Sequence, residues 1–131
     1  MKKFICTFIC ILTLNSTFAG PFEDAEAAMN SKDYTTALIK YKYAAEQGNS
    51  MAIIKIGNIF DSGLGVKQDF TMAIRYYKLA ARQGNVLGYI FVSAMYEAGQ
   101  GVEKDLVEAE RWKNLVRLCQ SRNLKNCENL E

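Results

Sequence analysis

A spacing of 36 residues constrains this chain more than any other feature. The stretch SMAIIKIGNIFDSGLGVKQDFTMAIRYYKLAARQGN at 50–85 is followed by a degraded copy, VLGYIFVSAMYEAGQGVEKDLVEAERWKNLVRLCQ. GLGVKQD at 63–69 returns as GQGVEKD at 99–105, and AAEQGN at 44–49 returns as AARQGN at 80–85. Two separate segments that repeat at one period mark an array of stacked units, none of which buries its apolar face alone.

Each unit divides into two helical patterns around a glycine-bearing loop. Ala52, Ile53, Ile56 and Phe60 recur at helical spacing. The pattern breaks from Gly63 to Asp69. Glycines at 63 and 65 imply backbone geometry that a side chain forbids. Asp69 is placed to cap the helix that follows, which carries Phe70, Ala73, Ile74, Tyr77, Ala80 and Ala81 three and four apart. Gly84-Asn85 ends it.

These residues resemble the Sel-like repeat (SLR) family, a relative of the tetratricopeptide repeat (TPR). The resemblance rests on Ala52, Ile56, Gly57 and Phe60, the loop Gly63-Leu64-Gly65-Val66, Asp69, Ala73, Tyr76-Tyr77 and Ala80 to Gly84. The next unit keeps Tyr96, Gly99, Gly101, Val102, Asp105, Ala109 and Trp112. It departs at Gly88 in place of Ala52, at Ser93 in place of Gly57, and at Val116 and Arg117 in place of the paired alanines. The likeness spans roughly residues 33–118. It implies an α-solenoid that binds other proteins.

The rest of the chain extends the array. Residues 21–31 read as a short amphipathic helix with Ala25 and Ala28 on its packing face and Pro near its first position. The turn at 31–34 lacks the glycine loop and looks more like a tetratricopeptide turn. A helix over 34–47 carries Tyr34, Ala37, Leu38, Tyr41, Ala44 and Ala45, the positions of the 70–83 helix shifted by one period. Hairpins at 21–48, 50–84 and 86–120 result. The expected fold is therefore all-α, a short solenoid of three helix-turn-helix hairpins over 20–120 with a tail at 121–131. In the last helix Glu110, Lys113 and Arg117 replace the apolar Ile74, Tyr77 and Ala81. A polar outer face of this kind caps a terminal repeat, so the array is expected to stop there as a complete small solenoid.

Residues 1–19 read as a secretory signal peptide: Lys2 and Lys3, an apolar run from Phe4 to Leu14, then Thr17 and Ala19 at the small positions before a cut. The run is shorter than the ~20 residues a spanning helix needs. An uncleaved N-terminal membrane anchor is the alternative. Cleavage removes two lysines and no acidic residue, leaving 14 Lys+Arg against 14 Asp+Glu. A neutral mature chain has no long-range attraction for nucleic acid or an anionic membrane. Cleavage also removes Cys6 and Cys10, leaving Cys119 and Cys127. An exported compartment permits a disulfide between them; two free thiols are the alternative. Eight residues on a continuous helix span roughly 12 Å. A disulfide tolerates at most about 7 Å between Cα atoms. The bond therefore requires the helix to break near 121–123, with Leu124 or Leu130 folding back over the last hairpin.

The chain has no histidine. That removes His-based acid–base pairs, the usual Ser/His and Cys/His nucleophile systems and the commonest metal ligand. The 63–66 loop lacks the phosphate-binding glycine pattern. No catalytic residue, metal or cofactor is expected. Asp61 and Glu97, equivalent positions one repeat apart, are the carboxylates that a cell-wall-acting enzyme, or a modulator of one, would use. Seven tyrosines (34, 41, 43, 76, 77, 89 and 96) fall mostly at packing positions and suit core filling.

The resulting expectation is an exported, periplasmic or secreted monomer that binds a protein or peptide through its concave face. The resemblance implies that the first helix of each hairpin lines that face. Ile53, Ile56, Gly57 and Phe60, then Tyr89, Val92, Ser93 and Tyr96, face their own partner helices. Met51, Ile54, Asn58 and Asp61, then Leu87, Ile90, Ala94 and Glu97, are left as the groove. Phe22, Glu26 and Met29 are the equivalents in the first helix. Apolar anchors beside a carboxylate suit a peptide with a basic residue. The alternative is that the array curls tightly and these residues pack on one another or on the tail.

Overall fold

A computed structural model describes residues 19–122 and Cys127. Within them lie six helices and no strand: α1 Pro21–Asn30, α2 Tyr34–Glu46, α3 Ser50–Ser62, α4 Phe70–Arg82, α5 Val86–Ala98 and α6 Leu106–Ser121. Each helix packs against its neighbours in sequence, as in a solenoid of three hairpins. The first two helices end one residue short of the sequence reading, with Ser31 and Gln47 as their C-caps. The signal-peptide reading and the proposed positions of Leu124 and Leu130 lie outside the described residues.

The helix starts follow from local chemistry. Asp33, Asp69 and Asp105 each accept a backbone N–H of the first turn, at 2.9–3.1 Å. Asn49 and Asn85 do the same for α3 and α5, a capping role beyond their place at the preceding helix ends. The side-chain amide of Asn85 also donates to the Ser50 hydroxyl at 3.0 Å, linking consecutive repeats.

The two long hairpin loops are built alike. Asp69 N–H donates to the Phe60 carbonyl at 2.9 Å, and Asp105 N–H to the Tyr96 carbonyl at 3.0 Å. The second glycine of each loop has φ near +66 to +69° and presses on the helix of the preceding hairpin. A Cβ at Gly65 would lie 2.6 Å from the Tyr34 Cβ; one at Gly101 would collide with the Phe70 backbone carbonyl. Tyr34 and Phe70 are one period apart, so this glycine is an inter-repeat contact as well as a turn residue.

The core has two parts. Ala25, Ala37, Tyr41, Ala44, Ala52, Ile56 and Ile59 close the first hairpin against the second. Ile53, Ile54, Ile74, Tyr77, Tyr89, Val92, Trp112 and the two cysteines close the second against the third. Tyr41, Tyr77 and Tyr89 are each at most 2 % exposed, so tyrosine is a principal filler here. Tyr43 departs from the packing role expected for most of the tyrosines: it is 54 % exposed.

The expected disulfide joins Cys119 and Cys127, with Cα atoms 5.5 Å apart. Helix α6 ends at Ser121, which permits the approach. Cys127 is fully buried. Its N–H donates to the Gly84 carbonyl at 3.1 Å, and its carbonyl accepts from the Tyr89 hydroxyl at 2.9 Å. At the outer face of α6, Arg117 pairs with Glu110 at 2.7 Å, giving the polar surface expected of 110–117.

Candidate functional site

The eight-residue strip divides into a closed half and an open half. On α3, Met51 is half-buried against the core and Ile54 is 2 % exposed within it. Ile54 is therefore a core residue, which corrects its assignment as an accessible groove anchor. It belongs to the cluster shared with the third hairpin, so packing on the neighbouring repeat has taken the surface a peptide would need. Half-buried Asn58 accepts the Tyr77 hydroxyl at 2.8 Å. Burial, then the nearby Asp61 carboxylate, push the Tyr77 hydroxyl well above the usual phenol range.

On α5 the same positions are open. Leu87 is 36 % and Ile90 42 % exposed, and Ala94 and Glu97 are exposed beside them. These four lie at helical spacing along one stripe. Among the described residues no further hairpin follows to cover them. Glu97 is held by the Lys113 ammonium of α6. Lys113 is the repeat counterpart of Tyr77, so Asp61 and Glu97 each face position 77 or 113 of their own hairpin. No cluster of three or more His, Cys, Asp or Glu suited to a metal exists among the described residues.

The first hairpin uses its equivalent positions for structure. Phe22 packs on Tyr41 with ring centroids 5.7 Å apart. Glu26 accepts from the Tyr41 hydroxyl and pairs with Lys55 of α3 at 2.8 Å. The Lys55 bond first, and the Tyr41 bond second, hold the Glu26 carboxyl below its usual value of 4.5. Tyr41–Glu26 corresponds to Tyr77–Asn58 in the next hairpin, because the α1–α2 turn is four residues shorter than the α3–α4 loop.

The two departures in the third unit have local causes. A Cβ on Gly57 would lie 2.5 Å from the Tyr77 ring. Ser93 occupies that position opposite Lys113, where no ring stands in the way. Its hydroxyl donates to the Ile90 carbonyl at 2.8 Å. Gly88 lets the backbone of α5 approach that of α4.

The Sel1 repeat family model matches residues 31–49, 50–85 and 86–112. This chain belongs to the Sel1 repeat family. Sel1 repeat proteins generally mediate protein–protein interaction. The fold agrees: a Sel1 repeat protein from Oxalobacter formigenes is 28 % identical, with TM-score 0.66, over 75 % of this chain and 77 % of that one. A protective antigen present in uropathogenic Escherichia coli strains, displaying an SLR fold, is also 28 % identical, with TM-score 0.69, over 83 % of this chain. This chain spans 27 % of that larger structure. Among curated proteins no match is found.

Sequence reasoning missed the two states of the strip. Period alone makes Ile54 and Ile90 equivalent, and only the stacking shows that one is covered. It also missed Ile39, Tyr43 and Leu79 on the second helices, which are 62 %, 54 % and 41 % exposed. A signal for the last two was present, since 43 and 79 are one period apart and both apolar.

Proposed function

We propose that this Sel1 repeat protein is exported to the periplasm or beyond and, as a monomer without catalysis of its own, captures a protein or peptide on its concave face. The observation that carries the reading is the contrast between Ile54 and Ile90. The same repeat position is 2 % exposed in one unit and 42 % exposed in the next. A partner's apolar side chain laid on Leu87 and Ile90 covers the part of each that is still exposed, 36 % and 42 %, worth about 0.6–1.2 kcal/mol per side chain. Glu97 at the end of the stripe favours a basic group on the same partner where that group displaces Lys113, its pair in the free protein.

Export is supported by the charged start, apolar run and Thr17-Phe18-Ala19 of the sequence, and by the Cys119–Cys127 bond. No described helix is long and apolar enough to cross a membrane. The absence of catalysis is supported by the lack of histidine and by the Glu97–Lys113 pairing. The test is cross-linking and pull-down from the exported fraction, then rebinding of the captured partner to Leu87→Asp/Ile90→Asp. Both positions lie at the surface and outside the core clusters, so the double variant still folds with helicity near wild type while binding is lost. A folded double variant that still binds refutes the α5 stripe as the contact surface.

A further inference from the structure

The geometry points to a second docking surface on the opposite, second-helix side, shaped for an acidic, apolar segment of a protein partner. A groove of about 380 Å³ runs between α2 and α4. Its floor is apolar: Ile53 and Ile56 from α3, with Tyr76 and Leu79 from α4. Tyr76 is held flat by stacking on Phe60, with centroids 5.7 Å apart and planes 7° from parallel. Leu79 is 41 % exposed, and Tyr43, its counterpart one repeat earlier, is 54 % exposed. The solvent-facing side of a surface helix is ordinarily polar. Two consecutive repeats here present a large side chain at the same position: Leu79 lines the groove, and Tyr43 stands exposed on α2 next to Lys42 at its edge.

The charge beside the groove is one-sided. Helix α4 carries Arg75, Lys78 and Arg82 and no acidic residue. Lys78 is occupied with Tyr96, donating to its hydroxyl at 2.9 Å and lying over its ring. Arg75 is exposed and its only described bond is a long one, 3.9 Å, to the Met72 sulfur. Arg82 is exposed and in no described ion pair. Lys42 adds a cation on the α2 side, against Glu46 as the single carboxylate of the groove. Cations flanking an apolar floor complement a segment that alternates carboxylates with apolar side chains. The cations are few, confined to a short stretch and opposed by Glu46, too little to track a phosphate backbone, so a protein segment is the fitting occupant. Helix α5 carries no cation and its one carboxylate, Glu97, is already paired with Lys113, so the two faces offer a partner different chemistry.

The experiment uses a fluorescent amphipathic peptide of about four helical turns, built from Leu and Glu, and the same peptide with Lys for Glu. Each is titrated against the purified protein by anisotropy at physiological salt. The Glu peptide is expected to bind at least about tenfold tighter than the Lys peptide. Arg75→Glu/Arg82→Glu removes that preference, and Tyr43→Ser/Leu79→Ser weakens binding of the Glu peptide, with circular dichroism unchanged in both. Leu87→Asp/Ile90→Asp leaves the Glu peptide bound, which separates this surface from the α5 stripe. Equal binding of both peptides overturns the proposal, as does full binding to the charge-reversed variant. Indifference to Tyr43→Ser/Leu79→Ser reduces it to unspecific charge attraction and also overturns it. Capture of phosphatidylglycerol vesicles in competition with the peptide, lost in the charge-reversed variant, assigns the surface to a membrane and refutes a protein occupant.

Discussion

Gly88→Ala opposes helix propensity to tertiary packing, and the structure decides the sign. In a solvent-exposed helix interior this substitution gains up to about 1 kcal/mol, because glycine loses more backbone freedom on folding. Gly88 is buried in α5 against α4. An added Cβ falls 2.7 Å from the Tyr77 carbonyl oxygen and 2.9 Å from the Ala81 Cα, and closer still to the Ala81 nitrogen. Optimal contact between carbons is ~3.5–4.0 Å, so the two helices must separate by roughly 0.6 Å or more. Every blocking atom is backbone, so no rotamer change relieves the clash. Separation loosens Tyr77, Ala81, Tyr89 and Val92, all within 2 % of full burial. Overpacking costs about 1–3 kcal/mol, and with only backbone in the way the upper part of that range, about 2–3, applies; subtracting a propensity gain of about 1 leaves a net loss of about 1–2 kcal/mol. For a domain of about 100 residues that lowers Tm by roughly 4–16 °C. Urea unfolding followed by Trp112 fluorescence and by circular dichroism gives the free energy, with the m-value checking that the unfolded state is unchanged. A Gly88→Ala protein as stable as wild type, or more so, refutes the claim that the α4–α5 approach requires glycine.

Other outcomes follow from the same contacts. Ile54→Asp places a carboxylate inside the second core cluster and is expected to unfold the protein, whereas Ile90→Asp at the equivalent, partly exposed position leaves it folded, with Tm lowered by roughly 4–14 °C in a melting assay. Cys119→Ser/Cys127→Ser reopens a short loop and is expected to lose about 2–3 kcal/mol in urea titrations; the oxidised, signal-cleaved protein shows no thiol reactive toward a disulfide reagent under denaturing conditions. Because the Glu26 carboxyl is held below 4.5 in the folded state, its contribution is fully present above that value and is lost as pH falls through the depressed folded value. Glu26→Gln should therefore flatten the acid limb of the stability–pH curve, and an unchanged acid limb would show that its bonds to Lys55 and Tyr41 contribute nothing. Asp69→Ala removes the α4 cap at Met72 N–H and is expected to cost about 0.5–2 kcal/mol by the same urea method.

Much of the architecture was legible because repetition turns local signals into global ones. A capping Asp69 and a glycine pair at 63 and 65 specify one hairpin, and their return at 105, 99 and 101 specifies the stacking of hairpins. The helix break before Cys127 was readable from reach alone, since eight residues of continuous helix hold two sulfurs too far apart. Equivalence between repeats was also readable, and it is where sequence reasoning stopped. Ile54 and Ile90 have the same residue type and helix position, yet one is core and the other surface. Burial is a property of what lies across the gap, and the period does not say whether a unit has a neighbour on that side. The glycines at 57 and 88 are of the same kind: the first yields to the Tyr77 ring, the second to the backbone of α4, and both obstacles come from other helices. The apolar floor between α2 and α4 draws Ile53 and Ile56 from α3 and Tyr76 and Leu79 from α4, and only the packing of these helices brings them together. Local propensity and periodicity set which segments are helices and which faces are apolar. The choice among those faces, buried or left for a partner, was made by the packing of one repeat on the next.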